Sequence, residues 1–91
     1  MSSASRAVVI ANQRGLHARA SAKFVNLASQ IDAQIEVEKD ANRVSGTSIM
    51  GLMMLGAGKG ATLDLHATGS EAEAAIEALA GLVEAGFHES D

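Results

Sequence analysis

His17 is the residue best equipped for chemistry, because an imidazole nitrogen is a competent nucleophile near neutral pH. It follows Gly15-Leu16 and precedes Ala18-Arg19, with Arg14 and Lys23 close in sequence. If a helix begins there, its first-turn N–H groups lack intrahelical partners and its dipole attracts anions. A phosphoryl group formed on the ring would then meet backbone donors and the Arg19 guanidinium. Nucleophile, anion pocket and counter-charge thus fall within three consecutive residues. The same local pattern also fits a polar histidine that caps a helix and does no chemistry.

A second position of interest is Ser48, which stands where an N-cap would stand before Ile49, Met50, Leu52, Met53, Met54 and Leu55. A phosphate on its hydroxyl would add about −1.5 to −2 charges, welcome at a helix N-terminus and unwelcome beside an apolar docking patch. Taken alone, the residues favour an ordinary N-cap. A two-turn helix cannot bury all six of those apolar residues, so Met50 and Met53 are expected to face outward. Methionine suits a surface that must fit several partners. Gly56-Ala57-Gly58-Lys59-Gly60 is read as a loop, because Met53 and Gly60 occupy the glycine and hydroxyl positions that a phosphate-binding P-loop requires. His66 is expected on a solvated strand face and His88 in the C-terminal tail. The chain has no cysteine and three scattered histidines, which excludes disulfides and leaves no expectation of a metal site or other cofactor.

The elements that must hold these groups follow from periodicity. Residues 6–11 form a short apolar run with Val8, Val9 and Ile10, the pattern of a strand, and Asn12 to Gly15 is turn-like. From Ala18 the period lengthens. Ala20, Phe24, Leu27, Ala28 and Ile31 fall on one helical face, in a helix that begins at or just after His17. Ile35 and Val37 alternate with Gln34, Glu36 and Glu38, the period of a half-buried strand. A turn over 40–42 leads into a short antiparallel strand through Arg43, Val44 and Ser45. Leu63, Leu65 and Ala67 alternate with Thr62, Asp64 and His66 in a fourth strand. Ser70 and Glu73 read as a capping box for a last helix with Ala72, Ala75, Ile76, Leu79, Leu82 and Val83 on its apolar face. The order is βαββαβα, and half-buried strands with one-sided helices imply an α+β fold, a sheet with its helices on one face.

The chain has 91 residues, 47% of them apolar, enough for one domain with a modest core. Residues 1–59 carry all seven lysines and arginines against four acids, a formal +3, whereas residues 60–91 carry seven acids and no Lys or Arg. Basic groups gathered near His17 suit an acidic protein surface or a bound phosphate. The apolar run near the N-terminus is too short for a signal-peptide core or a membrane span, so a cytoplasmic protein without membrane insertion is expected. A chain so small leaves most of any active site to a larger partner.

Arg14-Gly15-Leu16-His17-Ala18-Arg19 resembles the active-site motif of the HPr family, the histidine-containing phosphocarriers of the bacterial phosphoenolpyruvate-dependent phosphotransferase system. Residues 48–56, Ser-Ile-Met-Gly-Leu-Met-Met-Leu-Gly, are similar to the family's regulatory-serine motif. The resemblance spans about residues 6–86 of a single expected 1–91 domain. It implies an open-faced β-sandwich, a four-stranded antiparallel sheet with three helices on one face. It implies phosphorylation of His17 through Nδ1, neutralisation of the phosphoryl group by Arg19, and regulation through Ser48 by a kinase/phosphorylase where one exists. It further implies docking through Ala18, Ala20, Ile49, Met50 and Met53. Enzyme I and an EIIA-type acceptor would be the partners of a monomeric carrier that is their substrate more than an enzyme.

Two positions depart from the family pattern. Ala20 stands where proline is usual, which removes a preset φ but keeps helix propensity. Thr47 replaces the polar or charged residue common before the serine. Within the family, a nitrogen-related or purely regulatory branch without sugar transport is the alternative. An RNA- or metabolite-binding module is the alternative from another class. An RNA-binding sheet should display stacking aromatics and a basic face. Here the two phenylalanines fall outside the expected strands and the net charge is −4.

Overall fold

A computed structural model describes residues 2–89; Met1, Ser90 and Asp91, the ends of the expected 1–91 unit, lie outside the described residues. The elements are β1 (Ser2–Val9), α1 (Ala18–Ala28), β2 (Gln34–Lys39), β3 (Asn42–Ser45), α2 (Ile49–Met54), β4 (Thr62–Gly69) and α3 (Ala72–Glu84), followed by a 3-10 turn over Gly86–His88. The strands form one antiparallel sheet in the order β1-β4-β2-β3. This is the βαββαβα arrangement expected.

Alternation along the strands decides which face is covered. Val8, Ile35, Val37, Leu63, Leu65 and Ala67 are buried beneath the helices with Phe24, Leu52, Ile76, Leu79 and Val83. Fully burying each larger apolar side chain stabilises the fold by about 1.5–3 kcal/mol. The opposite face is polar and open. There His66 bridges strands: its Nδ1 lies 3.0 Å from Ser5 Oγ and its Nε2 3.1 Å from Glu38 Oε1. Arg43 reaches the same Glu38 oxygen at 3.1 Å and Glu36 at 3.2 Å.

Two features differ from expectation. Strand β1 begins at Ser2, not Arg6, and pairs with β4 along its whole length, from Ser2 opposite Gly69 to Val9 opposite Thr62. Its first half is serine-rich and mostly exposed because it is an edge, so no apolar alternation marks it. The Ser70–Glu73 capping box does not form. Glu71 occupies the N-cap, and Ser70 Oγ instead donates to Asp32 Oδ2 at 2.9 Å, while Glu71 Oε1 accepts from the Asp32 N–H at 2.9 Å. The loop after α1 offers these polar partners, and they outcompete a purely local cap. His88 ends the 3-10 turn, in a tail that is folded back onto the molecule.

Candidate functional site

The loop between β1 and α1 presents His17. Gly15 adopts φ +63°, and a Cβ there would lie 2.2 Å from the Ala57 carbonyl oxygen. That same oxygen accepts the Leu16 N–H at 2.9 Å. The 56–60 loop is therefore a buttress for the site, a role its glycine-rich composition did not disclose. Asn12, almost fully buried, donates from Nδ2 to the Gly15 carbonyl at 2.9 Å and closes the loop from the other side.

His17 is the N-cap of α1, as the expected helix start required. Its Nδ1 accepts the Arg19 backbone N–H at 3.3 Å, which places a lone pair on Nδ1 and the ring proton on Nε2. Nε2 donates to Glu89 Oε2. The first intrahelical bond runs from Ser21 N–H to the His17 carbonyl, so the N–H groups of Ala18, Arg19 and Ala20 precede the hydrogen-bond ladder. The ring side chain is 20% exposed. The site thus holds a half-buried imidazole, its Nδ1 lone pair at the positive end of an 11-residue helix.

The neighbouring cations divide. Arg14 and Arg19 are exposed, and neither side chain has a hydrogen bond or ion pair among the described residues. Lys23 is committed elsewhere: its Nζ donates to the Phe87 carbonyl at 2.7 Å, tying α1 to the tail. Of the basic groups gathered by sequence, it is the arginines that remain available to an anion. No cluster of metal-ligating side chains occurs among the described residues.

Ser48 caps α2 as expected, its Oγ accepting the Gly51 N–H at 2.9 Å. Leu52 and Leu55 turn into the core, while Ile49, Met50 and Met53 are exposed by 40%, 68% and 40%. Met54, absent from the expected patch, is the most exposed at 79%. The helix turns these four outward because Leu52 and Leu55 already fill its inner face. Ala18 is exposed, but Ala20 is fully buried against the core, so its side chain offers no docking surface; this corrects the expectation for that residue.

Glu89 is the site residue that sequence reading missed. Its carboxylate bridges His17 Nε2 and Asn12 Nδ2, the latter at 3.0 Å to Oε1. The Asn12 hydrogen bond holds this carboxyl below the ordinary glutamate range; burial opposes the shift, and the His17 hydrogen bond and the charge of Lys23 reinforce it. A faint signal exists in the sequence, an aromatic residue after Gly86 in an otherwise polar tail. Phe87 is buried and anchors the segment that carries Glu89.

Comparison with known proteins places this geometry in a family. The family described as "PTS HPr component phosphorylation site" matches residues 4–85. The chain is 42% identical over 90 residues to phosphocarrier protein NPr of Shewanella violacea, covering 99% of each. It is 44% identical over 86 residues to phosphocarrier protein HPr of Neisseria meningitidis, covering 94% of this chain and 97% of the relative. Among solved structures, HPr-C-His from Thermoanaerobacter tengcongensis superposes with a TM-score of 0.91 at 44% identity, over 97% of this chain and 99% of that one. No helix among the described residues is long and apolar enough to cross a membrane.

Proposed function

Because the chain belongs to the HPr family of phosphocarrier proteins, we propose that His17 accepts a phosphoryl group from phosphorylated enzyme I and passes it to a histidine of an EIIA-type acceptor. The observation that carries this reading is the lone pair of His17 Nδ1 at the N-terminus of α1, with the free Arg19 side chain two residues on. Nδ1 attacks phosphorus as the donor's N–P bond breaks, and the departing electron pair returns to the donor nitrogen. First-turn N–H groups and the Arg19 guanidinium meet the phosphoryl oxygens, where charge-assisted hydrogen bonds are strongest. Ile49, Met50 and Met53, with Ala18 and Met54, form the apolar surface for docking partners. Phosphorylation of Ser48 places charge at the edge of that surface and weakens docking. The carrier works as a cytoplasmic monomer that releases each partner after exchange.

Transfer of label from phosphoenolpyruvate through enzyme I tests the reading. Acid-labile label is expected on the wild type and absent from His17→Ala. Arg19→Ala should fold normally and transfer about ten- to a hundredfold more slowly, the worth of a charge-assisted hydrogen bond. A folded wild type that takes no label from its cognate enzyme I would overturn the relay.

A second reading keeps the chemistry and changes the acceptor, to a nitrogen-related or regulatory branch without sugar transport. Full-length likeness to the protein named NPr favours it. Labelled carrier offered to acceptors of each branch separates the two by which one takes the phosphate.

A further inference from the structure

We infer that Glu89 is a positioning residue for phosphoryl transfer: anchored by Asn12, it fixes the proton of His17 on Nε2 and leaves Nδ1 free to attack. The inference rests on the relay proposed above, with Nδ1 as the reacting atom.

Hydrogen-bond polarity carries the argument. Asn12 lies between two acceptors, the Gly15 carbonyl and Glu89 Oε1, so the group directed at both must be its NH2. That orientation is set by a backbone oxygen and cannot adapt to the tail. Glu89 is a pure acceptor when ionised, so it satisfies the Asn12 NH2 with one oxygen and demands an N–H from His17 with the other. On the opposite side of the ring, the Arg19 N–H demands a lone pair on Nδ1. Both constraints select the same tautomer. The tail is held in place by the buried Phe87 ring and by Lys23 on the Phe87 carbonyl. The charge of Lys23 further favours the ionised form of this carboxylate.

The arrangement has a second effect during transfer. When Nδ1 donates its pair to phosphorus and the donor's N–P bond breaks, Nε2 keeps its proton and the ring becomes cationic. Glu89 faces that charge, as a buried carboxylate does behind a catalytic histidine. In onward transfer the pair returns to Nδ1 and the ring leaves as neutral imidazole, so the carboxylate assists acceptance without taking a proton.

The test uses a change of polarity that a merely structural contact would not feel. In Glu89→Gln, the amide oxygen must turn to the Asn12 NH2, which leaves the amide N–H facing His17 Nε2 and drives the ring proton to Nδ1. In Glu89→Ala the ring is free to take either tautomer. Expected transfer rates therefore fall in the order wild type, Ala, Gln, with Gln at least about tenfold below wild type. Ring ¹⁵N shifts should show the proton on Nε2 in the wild type and on Nδ1 in Glu89→Gln. A Gln variant that transfers like the wild type, or faster than Ala, with its proton still on Nε2 would overturn the inference. If the wild type takes no label at all, the relay fails, and the ring shifts alone still decide whether Glu89 sets the tautomer.

Discussion

Gly15 and Ala57 are in backbone contact: the oxygen of Ala57 stands where a side chain on residue 15 would begin, 2.2 Å from its Cβ position. Gly15→Ala must therefore both tolerate φ +63° and push the loops apart. We expect a loss of more than about 2 kcal/mol in urea unfolding, and slower transfer, because the same contact aims His17.

The β2–β3 hairpin offers the opposite case. Asp40 and Ala41 adopt φ 51° and 70° between the paired Lys39 and Asn42, the geometry of a two-residue turn that prefers Asn-Gly. Ala41→Gly should stabilise the protein by up to about 1 kcal/mol, because relief of left-handed strain outweighs the added freedom of the unfolded chain. A thermal melt should record a rise of several degrees in Tm.

Removing the Ser48 hydroxyl leaves the Gly51 N–H of α2 without its cap. Ser48→Ala should cost about 1 kcal/mol, seen as a lower denaturation midpoint. Ser48→Asp should keep the cap and the stability, yet bind enzyme I more weakly, because the added charge borders Ile49 and Met50. Titration calorimetry with enzyme I separates the two effects.

Acid should weaken the protein in part through two carboxyls. Glu38 is held below the ordinary glutamate value of 4.5 chiefly by the Arg43 hydrogen bond and then by that of His66, and Glu89 chiefly by Asn12. A depressed carboxyl contributes stability that is complete above its unfolded value and lost as pH falls through its folded one. Urea midpoints should thus be unaffected by these groups above about pH 5 and fall below it. The double variant Glu38→Gln, Glu89→Gln should show a flatter acid limb.

Much of the fold was legible because its signals are local. Leu63, Leu65 and Ala67 alternate, and Ala20, Phe24 and Ala28 share a helical face, so their elements and their buried sides follow from spacing. His17 and Ser48 were legible as helix caps for the same reason. What escaped notice depends on pairs far apart in sequence. The serine-rich start of β1 is a strand only because β4 lies beside it. The Ser70–Glu73 signature is complete in sequence, yet Asp32 takes the serine hydroxyl across the fold. Glu89 lies 72 residues from His17, and no periodicity links an acid in a polar tail to a ring at a helix start. Burial of Ala20 was implicit in the helical face that also contains Phe24, and the family's docking motif obscured it.

The interior place of β4 between β1 and β2 also orders events during synthesis. Strand β1 leaves the ribosome first but finds its partner some 60 residues later, since Ser2 pairs with Gly69 and Val9 with Thr62. Until then only the β2–β3 hairpin can close locally. Until β4 is made the N-terminal strand lacks its partner, so the sheet cannot be completed before that strand. Such distant pairings slow folding relative to a helical bundle of equal size.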